Sequence, residues 1–254
     1  MMTAVTVIDA MPGIAGLARR LLHAVLPVDC AACDTPLTDD PVPFFCRSCW
    51  SQIKPLHGPV CPRCGRPFHS EAALLYSPAH LCGPCRQHPP AFTQAWSAYP
   101  YVAPLHDAIR LFKYEKKVAL AHALGRLLDV TAWPFPAFDL VIPVPLHPSR
   151  LREREYNQSL LLADHLGRRL GLTVACHNLA RVRRTPPQTE LTRAARLRNL
   201  TRAFAVRRTS EIARKRILLV DDVFTTGATV NECAKALRQA GASGVYVATL
   251  ARTI

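Results

Sequence analysis

Two adjacent carboxylates, Asp221 and Asp222, stand at the centre of the stretch RILLVDDVFTTGATV. The four apolar residues before them, 217 to 220, predict a short buried strand of a parallel sheet. Carboxylates directly after such a strand suit neighbouring hydroxyl groups or a hydrated Mg²⁺, which prefers one or two carboxylates. The small and hydroxyl-bearing residues that follow allow backbone amides to close around a phosphate. The stretch therefore predicts a site for vicinal hydroxyls beside a phosphate, as in ribose 5-phosphate.

The elements that must position these groups are a strand and a helix joined by a tight turn. Apolar residues recur at helical spacing after the threonines, and Gly241 stands where a helix would stop. The chain is expected to pass from strand to helix across DDVFTTGAT. Open α/β sheets bind ligands at such turns because free N–H groups and the helix dipole point into the crevice. The residues predicted to face the core from this helix are Val230, Cys233, Ala234 and Leu237.

This stretch resembles the phosphoribosyl pyrophosphate (PRPP) binding motif of type I phosphoribosyltransferases, in which two acidic residues and an apolar pair precede T-T-G-x-T. The resemblance implies that Asp221 and Asp222 hold the ribose hydroxyls and that the following loop cradles the 5-phosphate. An ordinary strand-to-helix turn with capping threonines is the alternative. The loop residues expected to bind PRPP are Val223, Thr225, Thr226, Gly227, Ala228 and Thr229.

Eight of the ten cysteines form four C-x-x-C pairs, the spacing that lets two thiolates reach one tetrahedral ion. Eight thiolates fill two structural Zn²⁺ sites, and such closed sites leave no position for an activating water. Disulfides and redox chemistry are the weaker alternatives for a chain without a signal peptide pattern. Consecutive grouping is expected, although the spacing also allows interleaving. The expected ligands are Cys30, Cys33, Cys46 and Cys49, then Cys61, Cys64, Cys82 and Cys85.

Positive charge is concentrated in one part of this 254-residue chain, whose formal net charge is +14. Residues 147 to 216 contain seventeen Lys and Arg against five Asp and Glu, whereas residues 1 to 100 are close to neutral. A basic block of this kind attracts the phosphates of a small ligand or of a nucleic acid backbone, or it is a solvated surface. No apolar run approaches the roughly 20 residues of a membrane span. We expect a cytoplasmic protein, with residues 14 to 26 forming a packing helix.

Two further segments are expected near the same site. Residues 140 to 144 predict a buried strand that runs into a Pro-flanked loop with Arg150 and Arg152. In type I phosphoribosyltransferases the corresponding loop clasps pyrophosphate, so Leu146 and His147 are expected to contact PRPP. Residues 172 to 182 predict one strand. The basic stretch that follows is expected to be a lid or a nucleic acid contact.

Taken in order along the chain, these segments resemble the ComF family, whose members join a double zinc ribbon to a phosphoribosyltransferase-like domain. The resemblance rests on the tandem cysteine pairs, FKY, IPVPLHPSRLREREYNQ, RVRRTPPQTELTRAARLRN and LLVDDVFTTGAT. Glu155 and Glu115 depart from it, since glycine is usual at both positions. Glu155 would be strained if that position needs a positive φ. The family pattern implies a flexible loop that carries Thr185, Gln188, Arg196 and Asn199.

The fold class expected from this resemblance is α/β, with a mostly parallel sheet flanked by helices and preceded by a small double zinc ribbon. We expect an N-terminal helical segment at 1–29, the ribbon at 30–92 and the phosphoribosyltransferase-like domain at 93–254. The family is implicated in handling incoming single-stranded DNA, so single-stranded DNA and a DNA-uptake helicase or import protein are expected partners. PRPP with Mg²⁺ is the expected ligand. Asp221, Asp222, Arg150 and Arg152 would act if the protein is a phosphoribosyltransferase (a glycosyltransferase). The alternatives are a non-catalytic DNA- or protein-binding module or scaffold with a vestigial PRPP site, and a phosphoribosyltransferase with an unknown acceptor outside competence.

Overall fold

The computed structural model describes residues 28–128, 136–183 and 203–254. The helix expected over 14–26 and the four expected loop residues, Thr185, Gln188, Arg196 and Asn199, lie outside these ranges. The chain divides into two compact units, Met1–Ile53 and Lys54–Ile254. The described part of the first unit contains helix α1 (Arg47–Ser51) and two short antiparallel bridges.

A four-stranded parallel sheet lies at the centre of the second unit, in the order β1-β6-β5-β2. A separate antiparallel pair, β3 and β4, also lies in the described residues of this unit. Parallel strands need crossover connections, and helices provide them here. The strands are β1 (Gln94–Pro100), β2 (Leu140–Pro143), β3 (Leu179–Arg181), β4 (Phe204–Val206), β5 (Arg216–Phe224) and β6 (Gly244–Arg252).

The helices of the second unit lie either in the cysteine-rich segment before the sheet or between the strands of the sheet. The two short helices α2 and α3 lie in the cysteine-rich segment, and the longer helices connect the strands. The α/β fold with a mostly parallel sheet is therefore confirmed. The helices are α2 (Ala72–Leu75), α3 (Gly83–Gln87), α4 (Leu105–Tyr114), α5 (Leu120–Leu127), α6 (Pro148–Arg154), α7 (Gln158–Leu170) and α8 (Ala228–Gln239).

The core forms where the sequence is most apolar. Residues 217 to 220 of β5 are 0% exposed, since strands lie on both sides of β5 and helices pack on the sheet. The four helix residues predicted to face inward are also buried on α8. The helix ends at Gln239, two residues before Gly241, which has φ 91. The hydrophobic periodicity therefore predicted both elements beside the acid pair.

Three local expectations are corrected. Strand β5 continues through both carboxylates to Phe224, because this end of the strand still pairs with β6. The Pro-flanked segment after β2 contains helix α6, which starts at Pro148 with His147 as its N-cap. Residues 172 to 182 do not form one strand. The Asn178 side chain holds a turn there by accepting from the N–H of Arg208 and donating to its carbonyl, and only Leu179–Arg181 remain as β3.

In the parts of the chain that the structure describes, no helix combines the length and the apolar character needed to cross a bilayer.

Candidate functional site

A cleft of about 2140 Å³ opens in the second unit at the carboxyl ends of the parallel strands. Its lining includes Asp221, Asp222, the loop from Val223 to Thr229, and the segment from Val144 to His147. Every residue expected to bind PRPP therefore borders one cavity. The carboxyl ends of parallel strands meet at one edge of a sheet, which is why segments distant in sequence converge here.

The two carboxylates have different partners because successive strand residues point to opposite faces of a sheet. Asp221 accepts a hydrogen bond from the hydroxyl of Ser159, at 2.9 Å, and another from the backbone N–H of Asp222. Asp222 forms an ion pair with Lys113 of α4, with 2.7 Å between Nζ and Oδ1. Lys113 and Ser159 therefore belong to the site, although neither was assigned to it from sequence.

The electrostatics of this cluster follow from burial and from the adjacent charges. Burial raises the pKa of Asp221 to about 7, with the nearby Asp222 acting in the same direction and Lys113 opposing it. Burial alone would lower the pKa of Lys113, but the charge and hydrogen bond of Asp222 outweigh it, so this pKa is raised. Lys113 therefore remains cationic beside the acid pair at neutral pH.

We expect Asp221→Asn to stabilise the ligand-free protein in a pH-dependent way. The folded protein keeps a proton on Asp221 that the unfolded chain loses, so its stability falls as pH rises from about 4 to 7. Asparagine retains an acceptor for Ser159 without the buried charge. At about pH 8 the variant should melt higher, by about 2–4 °C for each kcal/mol gained. Thermal unfolding with excess zinc measures this, and the gain should fall to about half near pH 5.5. An equal gain at both pH values would contradict the assignment.

The turn between β5 and α8 depends on Gly227. This residue is the N-cap of α8 and has φ 76. A Cβ added to it would lie 2.5 Å from Cζ of Phe224. Glycine is therefore required here both by the backbone conformation and by the close approach of the Phe224 ring. The turn directs the first N–H groups of α8, which have no partner within the helix, toward the cleft.

Helix α6 carries the arginines expected to bind pyrophosphate, and they differ in position. Arg150 lines the cleft and pairs with Glu153, at 3.0 Å. Arg152 is exposed and does not line the cleft. Arg154 does line it, with its guanidinium 4.9 Å from the centre of the Tyr114 ring. Sequence reasoning could not separate these arginines, because the helix that turns them apart was not predicted.

The turn after α6 requires a left-handed backbone at a residue with a side chain. Glu155 has φ 70, so the conformation that makes glycine usual at this position is present here. Its carboxylate pairs with Lys116, which is itself left-handed with φ 55. Glu115 has φ −108 and needs no glycine. Only the departure at Glu155 therefore imposes backbone strain.

The eight cysteines form two consecutive groups of four. The first group is Cys30, Cys33, Cys46 and Cys49, and the second is Cys61, Cys64, Cys82 and Cys85. Within each group the sulfur atoms lie within 4.8 Å of one another. The interleaved arrangement is not the one adopted.

The sulfur positions fit a tetrahedral zinc ion. Zinc–sulfur bonds of about 2.3 Å place sulfur atoms about 3.8 Å apart. The distance is 3.8 Å between Cys33 and Cys46 and 3.6 Å between Cys64 and Cys82. Backbone N–H groups also donate to sulfur in both groups, from Cys46 to Cys30 and from Cys82 to Cys61, each at 3.4 Å. Both groups therefore support structural zinc.

The second cysteine group packs into the core of the α/β unit. Its four cysteines are 8% exposed or less and belong to the same buried cluster as Ile217, Val247 and Leu237. The backbone N–H of Ala95 in β1 donates to the carbonyl of Arg63, at 2.9 Å. The same segment forms one wall of the cleft, through residues such as Arg66 and His88. This wall was not expected from sequence, since C-x-x-C spacing does not indicate what a ribbon packs against.

Known protein families match both parts of the chain. A double zinc ribbon domain matches residues 21–86, and a phosphoribosyl transferase domain matches residues 157–253. Among solved structures, an allosteric regulatory enzyme of purine biosynthesis aligns with 22% identity and a TM-score of 0.35. That alignment covers 51% of this chain and 25% of the enzyme chain.

Relatives that match along most of their length show the family to which the chain belongs. It is 33% identical to the DNA utilization protein YhgH of Salmonella typhi, over 84% of this chain and 99% of that protein. It is 34% identical to Competence protein F of Haemophilus influenzae, over 82% and 90%. Competence protein ComFC of Bacillus subtilis is 28% identical, over 88% and 95%. Because the match to two relatives exceeds 30% identity along nearly their whole lengths, the chain belongs to the ComF family of competence protein F, ComFC and YhgH.

Proposed function

We propose that the cleft binds PRPP or a related ribose 5-phosphate ligand together with Mg²⁺. The observation that carries this proposal is the placement of the acid pair directly before a glycine-dependent turn that leads into the N-terminus of α8. Carboxylates suit hydroxyl donors, whereas a helix N-terminus suits a phosphate. A ribose 5-phosphate carries both kinds of group on one ligand.

Each part of the site has a proposed role. Asp221 and Asp222 accept hydrogen bonds from the ribose hydroxyls, and the turn from Thr225 to Thr229 holds the 5-phosphate. Asp221 and Asp222 would also hold waters of a Mg²⁺ ion brought by the ligand, and that ion would offset the phosphate charge. Arg150 lies where it can face the pyrophosphate after releasing Glu153. Arg152 is exposed outside the cleft, so we assign its neighbour Arg154 the second cationic position.

The charge of Lys113 makes this arrangement compatible with an anionic ligand. Two adjacent carboxylates would repel a pyrophosphate, but Lys113 neutralises Asp222 at 2.7 Å. The raised pKa of Asp221 further reduces the negative charge near neutral pH. The acid pair can therefore receive hydroxyl groups without presenting two full negative charges to the phosphates.

We further propose that the protein acts in the uptake or use of DNA, in the cytoplasm. Its relatives are a DNA utilization protein and competence proteins. The basic block between residues 147 and 216 supplies charge for the backbone of single-stranded DNA. The nearly neutral residues 1 to 100 suit a protein partner such as a helicase or an import protein. Thiolate ligands for zinc persist in a reducing compartment.

Gly227→Ala tests the PRPP proposal without altering any charged group. The new methyl group would meet the Phe224 ring and displace the turn, so we expect at least about a tenfold loss of affinity. Gly171→Ala is the matched control, because Gly171 has φ 65 but nothing within 4 Å of an added Cβ. Equilibrium dialysis with PRPP and Mg²⁺ measures the effect. Equal affinities in the two variants would contradict the proposed phosphate position.

A further inference from the structure

Arg252 is a buried cation at the carboxyl end of β6. It is 3% exposed and lies opposite Phe224 in the register between β5 and β6. Its guanidinium carbon lies 5.1 Å from the centre of the Phe224 ring. A buried charge is unfavourable unless an opposite charge compensates it. In the described parts of the chain no carboxylate is within ion-pair distance of Arg252, and its Nε has no hydrogen-bond partner there.

The groups that face this guanidinium come from the second cysteine group. Its Nη1 donates to the backbone carbonyl of Cys64, at 2.7 Å. Burial lowers the pKa of Arg252 and Arg66 acts in the same direction, whereas Cys64 and Cys82 oppose them when they are thiolates. Four thiolates around one Zn²⁺ carry a net charge of −2. A zinc-loaded second site therefore supplies the negative charge that the surrounding residues lack.

Residues next to Arg252 also contact the phosphate turn. The backbone N–H of Thr253 donates to the carbonyl of Phe224, at 3.1 Å, and its hydroxyl donates to the carbonyl of Thr225, at 3.4 Å. Phe224 in turn fills the space that Gly227 leaves open. One short segment therefore joins the cysteine site to the turn proposed to bind phosphate.

We propose that Arg252 is a positioning residue that neutralises the second four-cysteine zinc site and, through Phe224 and Thr253, links occupancy of that site to the phosphate turn. The role toward zinc is independent of any ligand. The link to the turn rests on the proposed PRPP function. Arg252 also borders the cleft, but it is only 3% exposed, and the proposed link runs through Phe224 and Thr253. Metal binding and ligand binding then reinforce each other, since linked equilibria are reciprocal.

Zinc release from the full-length, zinc-loaded protein tests the first part. A chromogenic chelator is added to the wild type, Arg252→Met and Arg252→Lys, and Cys33→Ser identifies the phase that belongs to the first site. Methionine keeps most of the packing volume, whereas lysine keeps the charge. We expect methionine to accelerate release from the second site by about tenfold or more, as loss of a residue supporting metal ligands commonly does. Lysine should restore most of the wild-type rate, and the first site should be unchanged in both variants.

Two results would overturn this role. One is a wild-type release rate in Arg252→Met. The other is equal acceleration by methionine and lysine, which would indicate packing or the hydrogen bond to Cys64 as the contribution. If the methionine variant does not fold, the lysine variant decides: a rate near wild type supports the charge role, and a fast rate refutes it.

The second part is tested by adding PRPP and Mg²⁺ to the release assay. We expect saturating PRPP to slow release from the second site in the wild type and to have a smaller effect in Arg252→Met. PRPP that binds without slowing release overturns the link. If calorimetry shows no PRPP binding to the wild type, the proposed function fails and the link fails with it. The proposed role of Arg252 in neutralising the second zinc site is then decided by the release rates alone.

Discussion

Cys64→Ser is expected to unfold the α/β unit, whereas Cys33→Ser is expected to leave that unit folded. Each substitution removes one of four sulfur ligands from a zinc site. Cys64 is 8% exposed and lies in the buried cluster that includes β5 and α8, while Cys33 is exposed and belongs to the other compact unit. The same chemical change therefore has a different consequence at each site.

The expected size of this effect follows from the energies involved. Structural zinc contributes about 10–16 kcal/mol in zinc-finger peptides, which matches or exceeds the 5–15 kcal/mol stability of a typical domain. Loss of one ligand from the buried site also leaves the remaining sulfur atoms uncompensated in the core. Zinc content and circular dichroism during thermal unfolding measure the outcome. A Cys64→Ser protein that melts like the wild type after losing one zinc would contradict the structural role of the second site.

The part of the site that was predictable from sequence is the part built from neighbouring residues. The buried strand, the acid pair and the glycine turn follow one another in the chain. The positive φ needed at Glu155 was also indicated by the family pattern. Local spacing determines these features, so they could be derived without coordinates.

The unpredicted features depend on contacts between distant segments. Lys113 forms an ion pair with Asp222, which lies 109 residues further along the sequence. Arg252 donates a hydrogen bond to the carbonyl of Cys64, which lies 188 residues earlier. Hydrophobic periodicity reports which face of an element is buried and does not report its partner. The strand expected over 172–182 failed for a related reason, because Asn178 bonds to Arg208 and replaces strand pairing with a turn. These contacts required the folded structure.

Asp221→Asn/Asp222→Asn is expected to reduce PRPP affinity by at least about 100-fold while the fold is retained. Hydrogen bonds to charged groups contribute about 1.5–3 kcal/mol each, and two of them correspond to about two to four orders of magnitude. The substitutions keep the size of both side chains and leave acceptors for Ser159 and Lys113, but Asp222→Asn also removes the counter-charge of Lys113. The loss is assigned to the ligand contacts when the melting temperature shows that the double variant is folded.

Asp139→Asn provides a matched control for this change. Asp139 accepts a hydrogen bond from the N–H of Arg216, at 2.7 Å, where β5 begins, and so lies at the end of the strand away from the acid pair. The substitution removes a carboxylate near the same strand and leaves the residues that line the cleft unchanged. Unchanged PRPP affinity in this variant, with the melting temperatures of all proteins compared, would separate loss of the site from general damage to β5.

The most direct measurement is calorimetric titration of the zinc-loaded wild type and of Asp221→Asn/Asp222→Asn with PRPP and Mg²⁺. The proposed site predicts saturable binding at one site per chain in the wild type, with no measurable heat of binding in the folded double variant. Absence of binding by the wild type with both zinc sites filled, or equal binding by the double variant, would contradict the ribose-phosphate site.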